Sequence, residues 1–209
     1  MRRAIVWVLD IIFPPRRDET LVRGAEREQI SALLTPRRLS DAPVVIGLLP
    51  YRHPLVKACV REAKFHDSEK AARLLGCVLA QYLMDTQPFP TSSTRFLVPV
   101  PLSKKRQRER GFNQVERIAR ASFTYIKEGY GFETKLLGRI RHTKPQTRLN
   151  RAARLRNMEG AFALYGTLAP NAAYILIDDV TTTGSTLKSA LALLEQDGTS
   201  SVAGIALAY

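Results

Sequence analysis

The chain predicts an α/β protein built on a mainly parallel, twisted sheet flanked by helices, and three observations carry that reading. Apolar runs of strand length recur at Arg95–Val100, Lys135–Ile140, Ala161–Leu164, Ala173–Ile177 and Ser201–Ala208. Helical or loop segments separate them, the alternation expected of right-handed strand–helix–strand crossovers. The run Ile175-Leu-Ile177 is continuous rather than alternating, as a strand buried on both faces requires.

From the N-terminus, Ala4–Phe13 is short, interrupted by Asp10 and followed by Pro14-Pro15-Arg16-Arg17. It predicts an amphipathic helix docked on the domain rather than a signal peptide or a membrane span. Arg16–Ser40 is charged and predicts a loop or a short helix around Glu26–Leu34. Pro50 and Pro54 mark a break before a helical Leu55–Lys64. Ser68 is placed to cap a helix running to Asp85, with Ala72, Leu75, Leu79 and Leu83 on one face. Gln87–Thr94, rich in Pro, Ser and Thr, predicts a loop. Gly111–Lys127 predicts a helix, and Gly129–Gly131 a break. The expected organisation is an N-terminal part, residues 1–45, ahead of one domain, residues 46–209.

Of 209 residues, 32 are Lys or Arg and 19 are Asp or Glu, a formal net charge of +13. The excess is one block: residues 95–160 hold 17 Lys/Arg against 5 Asp/Glu. Such a block favours an anionic partner at one surface, pyrophosphate or nucleic acid. The two cysteines, Cys59 and Cys77, have no metal-ligand spacing and predict buried free thiols. No run of membrane-spanning length appears, so the expectation is a cytoplasmic protein without membrane insertion.

The segment Tyr174-Ile-Leu-Ile-Asp-Asp-Val-Thr-Thr-Thr-Gly-Ser-Thr-Leu187 carries the chemistry. Ligands of parallel sheets gather at the carboxyl ends of strands, where Asp178 and Asp179 stand. Gly184 permits close backbone approach, while Thr182, Thr183, Ser185 and Thr186 offer hydroxyls ahead of a helix N-terminus suited to a phosphate. Two acids beside a phosphate cradle suit a ligand that also brings hydroxyls or a divalent cation, and a sugar phosphate does both. A Walker loop is excluded, because no Gly-x-x-x-x-Gly-Lys-[Ser/Thr] string occurs.

Two basic segments complete the picture. After the strand Val98-Pro-Val-Pro, the turn Pro101-Leu102-Ser103 delivers Lys104, Lys105, Arg106, Arg108 and Arg110 together. Backbone amides and cations there suit a pyrophosphate. Arg139–Asn157 holds six arginines plus Lys144 between two strands, longer than ordinary connections, and is a candidate lid. His142 within it reads as a surface histidine.

The 174–187 segment resembles the ribose-phosphate motif of type I phosphoribosyltransferases. Taken with Pro99-Val-Pro-Leu, Glu109-Arg-Gly-Phe-Asn-Gln114, the Arg…Thr…Gln…Leu…Arg…Asn series and the Tyr51…Leu55…Lys57…Lys64-Phe65 stretch, the chain resembles the ComF family over residues 50–209. These are phosphoribosyltransferase-like proteins linked in some bacteria to DNA uptake during competence. The resemblance implies a type I phosphoribosyltransferase fold and binding of phosphoribosyl pyrophosphate (PRPP) with magnesium. It implies that Asp178 and Asp179 fix the ribose hydroxyls near the metal, and that Thr182, Thr183, Gly184, Ser185 and Thr186 cradle the 5′-phosphate. Pro101, Leu102, Ser103, Lys104, Lys105 and Arg110 would receive pyrophosphate. Lys144, Gln146, Arg148, Arg154 and Asn157 would belong to a flexible hood. Transfer of phosphoribosyl to an unknown acceptor follows as the expected reaction. The alternative is a non-catalytic adaptor that binds single-stranded DNA, or a protein of the competence machinery, through the basic loops. Many relatives begin with a cysteine-rich zinc finger; Arg16–Ser40 has no cysteine, so no zinc is expected. Thr182 stands where base-specific relatives place an acid, which leaves the acceptor unassigned.

Overall fold

The computed structural model describes residues 15–40, 42–89, 94–126, 128–140, 160–196 and 201–209. The expected helix at Ala4–Phe13 and most of the expected lid, including Lys144, Gln146, Arg148, Arg154 and Asn157, lie outside them. Two short helices come first, α1 (Arg17–Gly24) and α2 (Arg27–Ser31), then strands β1 (Arg37–Leu39) and β2 (Ala42–Leu49). Helices α3 (Pro54–Phe65) and α4 (Glu69–Thr86) follow, then β3 (Arg95–Pro99), α5 (Lys104–Arg110), α6 (Gln114–Ser122) and β4 (Tyr130–Phe132). The chain ends with β5 (Leu137–Arg139), β6 (Phe162–Leu164), β7 (Ala173–Val180), α7 (Ser185–Gln196) and β8 (Val202–Ala208).

Six strands form the main sheet in the order β1-β2-β8-β7-β3-β4. β1 is antiparallel to β2, and every other neighbouring pair is parallel. The α/β class and mostly parallel sheet are as the sequence predicts. β7 is central, and the chain leaves it through α7 to β8 on one side. It leaves the neighbouring β3 through α5 and α6 to β4 on the other. The carboxyl ends of β3 and β7 therefore flank a topological switch point, the crevice where ligands of open α/β sheets bind.

Strand alternation divides the core in two. Ile175 and Ile177 of β7 join Leu97, Ile205 and Leu207 beneath α1, α2, α3, α4 and α6. Tyr174 and Leu176 face the other way, joining Val98 and Ala206 beneath α7 and the β5–β6 pair. Residues of α4 pack as their spacing predicts, with Leu75, Leu79 and Leu83 fully buried. Ser68 Oγ accepts from the Ala71 backbone N–H at 3.3 Å, capping α4. Cys59 and Cys77 are buried free thiols, and burial pushes Cys59 up to about 12.

Three expectations need correction, and one strand was not expected. β5 and β6 are not part of the parallel sheet; they pair with each other, Leu137 opposite Leu164 and Arg139 opposite Phe162. Their apolar residues look like core strands because they roof α7. Arg16–Ser40 holds the short helix expected around Glu26–Leu34 but also a second helix and a strand, rather than a loop. Its apolar residues are few but well placed: Val22, Ala25 and Ile30 enter the core, and Arg16 binds buried Glu62 of α3 through Nε (3.3 Å) and Nη2 (3.0 Å). The strand β2 had no counterpart in the sequence reading. The long helix expected at Gly111–Lys127 is shorter, because Gly111 ends α5 at φ 77° and Asn113 caps a new helix.

Gly76 of α4 is the contact point with α6. A Cβ there would stand 2.8 Å from the Ile118 carbonyl oxygen and 2.9 Å from the Ser122 nitrogen. Backbone atoms yield little, so Gly76→Ala should cost about 1–3 kcal/mol by overpacking. Gly24, with nothing within 4 Å of its Cβ position, is the control. Thermal or urea unfolding should show Gly76→Ala clearly destabilised and Gly24→Ala unchanged or slightly more stable. Equal stabilities would refute this packing account.

Candidate functional site

β7 runs on through both acids to Val180, because Asp178 pairs with Ala206 and Val180 with Ala208 of β8. Period-two alternation then sends neighbouring carboxylates to opposite faces. Asp179 shares the face of Ile175 and Ile177, towards α3 and α6. Its Oδ2 lies 3.1 Å from Lys64 Nζ and accepts from Gln114 Nε2 at 2.8 Å, while Oδ1 accepts from the Val180 backbone N–H at 2.7 Å. Asp178 shares the other face, towards the β5–β6 pair, and feels the charge of Arg139 on β5. Its Oδ1 accepts from the Asp179 backbone N–H at 2.9 Å.

These surroundings separate the two acids electrostatically. Burial and the charge of Asp179 push Asp178 up to about 7, against the smaller opposing pull of the Asp179 N–H, Lys64 and Arg139. Burial acts on Asp179 in the same upward direction, but Lys64, Gln114 and the Val180 N–H outweigh it and hold Asp179 below the usual carboxylate range. Asp178 therefore gains its proton close to neutral pH, while Asp179 stays ionised. A carboxyl poised in this way is ready to accept from a ligand hydroxyl, or to ionise beside a cation.

The next strand supplies the cations. Val100 donates its N–H to Ile177 O at 2.9 Å, so the end of β3 is held against β7. Asn113 bridges this end to α6: its Nδ2 donates to Val100 O at 3.1 Å and its Oδ1 accepts from the Val115 N–H at 3.0 Å. Residues 104–110 form a helix, not the loop the sequence suggests, with buried Ser103 accepting from the Arg106 N–H at 3.4 Å. Helical spacing sorts the basic run. Arg106 and Arg110, four apart, are half-buried, whereas Lys104, Lys105 and Arg108 are exposed. Lys105 stands 3.8 Å from Glu109 on that exposed face. Arg110 Nη1 donates to Gln114 Oε1 at 3.1 Å, which links α5 through Gln114 to Asp179. Burial lowers the pKa of Arg110, and Asp179 opposes that shift. Pro101 and Leu102 are half-buried in the turn between.

The cradle after β7 is equally determined. Gly184 has φ 70°, the left-handed region that favours glycine, and a Cβ there would meet Ala42 Cβ at 2.8 Å. The β1–β2 hairpin thus underlies the turn. Gly184 donates its N–H to Thr181 Oγ1 at 2.8 Å, and Thr183 Oγ1 donates to Ser185 Oγ at 3.3 Å. The first turn of α7 follows, where the Lys188 N–H reaches Gly184 O at 2.8 Å. Thr182 is exposed, Thr183 and Thr186 half-buried, and Ser185 buried.

The structure therefore brings Asp178, Asp179, the Thr182–Thr186 turn, Ser103 and Arg110 to one end of two adjacent strands, and leaves Lys104 and Lys105 on the outer side of α5. Sequence reasoning assigned no role to Lys64, Gln114 or Thr181, and it put Arg139 in the candidate lid, whereas the structure places it on β5. Lys64 and Gln114 stand in segments that carry the family resemblance, but only the packing of α3 and α6 over β7 gives them their partner. Among the described residues no helix is long and apolar enough to cross a membrane.

An α/β fold with a mostly parallel sheet flanked by helices, its central strand ending in paired acids and a glycine turn, is consistent with a type I phosphoribosyltransferase-like fold. No family model matches the chain. Curated proteins do. It is 30% identical over 159 residues to the DNA utilization protein YhgH of Salmonella typhimurium, covering 76% of this chain and 68% of that protein. Competence protein F of Haemophilus influenzae is 29% identical over 161 residues, with the same two coverages. Competence protein ComFC of Streptococcus pneumoniae is 36% identical over 105 residues, 50% of this chain and 44% of that protein. The chain belongs to the ComF family.

The protonated Asp178 has a measurable consequence. A carboxyl whose pKa rises on folding binds more protons in the folded state, so its contribution to stability falls as pH climbs from about 4 towards about 7. Asp178→Asn removes that penalty. Melting temperatures from pH 5 to 8 should show the variant gaining on wild type as pH rises through this window. A pH-independent difference would contradict the shared proton.

Proposed function

We propose that the chain binds PRPP at the crevice between β3 and β7, transfers its phosphoribosyl group to an acceptor with release of pyrophosphate, and serves DNA utilization in the cell. The observation that carries the chemistry is the meeting of Asp178, Asp179 and the Gly184 turn with Arg110 across one topological switch point. The names of the relatives, DNA utilization protein and competence protein, support the cellular role.

In this reading the 5′-phosphate rests on the 182–186 turn and the N-terminus of α7, where N–H groups and hydroxyls converge. Asp179, kept ionised by Lys64 and Gln114, accepts one ribose hydroxyl, and Asp178 takes the other. The bond from the anomeric carbon to pyrophosphate breaks with its electron pair leaving on pyrophosphate, while an acceptor lone pair forms the new bond. Positive charge developing on the ribose is stabilised by the acids, and the departing anion by Arg106 and Arg110. The two carboxylates are hard oxygen donors that fit a magnesium ion bound with the donor, which would supply charge neutralisation on the pyrophosphate oxygens.

A second reading rests on Lys104, Lys105 and Arg108, which face outward on α5: an adaptor that tracks the phosphates of single-stranded DNA. Such contacts would give binding a steep dependence on salt. If charge removal at Lys104 and Lys105 leaves both DNA affinity and its salt slope unchanged, that reading fails.

Calorimetry with PRPP and magnesium decides the first. Wild type should bind, and Asp178→Asn/Asp179→Asn should lose about a hundredfold or more in affinity, as expected when two charge-assisted hydrogen bonds are lost. No heat in wild type, or equal heats in both, would overturn it.

A further inference from the structure

Phe65, the last residue of α3, leaves 58% of its surface exposed at the edge of this site. Two cations flank its ring: Arg110 Cζ lies 5.4 Å from the centroid and Lys64 Nζ 6.0 Å. Both are tied to the same acid. Lys64 meets Asp179 directly at 3.1 Å, and Arg110 meets it through Gln114 at 3.1 and 2.8 Å. The ring is therefore held in register with Asp179, while much of its surface is open to solvent. Tyr165, similarly exposed at 57%, differs because its ring lies across Gly138 of the β5–β6 pair.

We propose that Phe65 is a stacking platform for an unpaired nucleobase. A planar heteroaromatic ring gains by lying on an aromatic face, and it does so without needing a particular edge pattern. Lys64 and Arg110 add cation–π attraction and meet any accompanying phosphate. The sequence hid this platform, because Phe65 lies outside the basic block and only the fold joins it to Arg110. The base comes from one of two sources: a free base awaiting the phosphoribosyl group, or a base within a single strand. The first source rests on the donor-site reading above; the second does not.

Photo-crosslinking distinguishes them. The probes are free 5-iodouracil and an oligothymidylate carrying one 5-iodouracil, each irradiated with the full-length protein and mapped by mass spectrometry. Attachment at Phe65 is expected. Attachment from the free base alone assigns an acceptor, and from the oligonucleotide alone a strand-binding surface. Phe65→Ala should weaken affinity for the crosslinking probe about tenfold or more, and Phe65→Trp should restore it. Calorimetry with PRPP should be unchanged in both variants, so loss of donor binding in wild type would sink the donor reading and leave the platform standing. Attachment only at other residues, no attachment, or Phe65→Ala affinity within about twofold of wild type would overturn the proposal.

Discussion

Two carboxylates at the end of a buried central strand are the constraint around which this molecule is arranged. Burial opposes both charges, and like charge opposes the second further, so each acid needs its own compensation. Strand alternation makes that possible by turning the acids to opposite faces of the sheet. On one face α3 and α6 converge to bring Lys64 and Gln114 to Asp179. On the other, Asp178 is pushed up to about 7 by burial and the charge of Asp179, against the weaker opposing pull of Arg139 on β5. The helical layer that packs the core thus also sets the protonation of the site.

Other features follow from the need to hold the ends of β3 and β7 together. Asn113 binds Val100 and caps α6 at once, so the helix that carries Gln114 starts from the strand end it serves. The capped helix α5 then sorts a dense basic run by angle, turning Arg106 and Arg110 inward and the lysines outward. The β1–β2 hairpin supports the Gly184 turn from below. The N-terminal segment is joined to the same body through Arg16 and the buried Glu62, only two residues from Lys64.

The parts of this arrangement that were legible in the sequence are local. A continuous apolar run into Asp178-Asp179, a glycine among hydroxyl residues, and Ser68 ahead of a helical pattern each carry their meaning within a few neighbours. β2 escaped notice because Pro43 stands inside its run, and a proline argues against a strand within a sheet. β5 and β6 were legible as strands but not as a separate pair, since partner choice depends on which face a strand covers. The helical character of 104–110 was masked by charge, although Ser103 was in position to cap it. Lys64, Gln114 and Phe65 were unreadable for a simpler reason: their roles exist only between elements far apart in sequence.

The central claim is that acids, glycine turn and inward-facing arginines hold one ligand at three points. Phosphorus-31 NMR of PRPP with magnesium resolves the 5′-phosphate and the two pyrophosphate resonances separately. All three should shift or broaden on addition of the wild-type protein. Gly184→Val should spare chiefly the 5′-phosphate signal, and Arg106→Ala/Arg110→Ala chiefly the pyrophosphate signals. Three resonances left untouched by the wild-type protein would contradict the account.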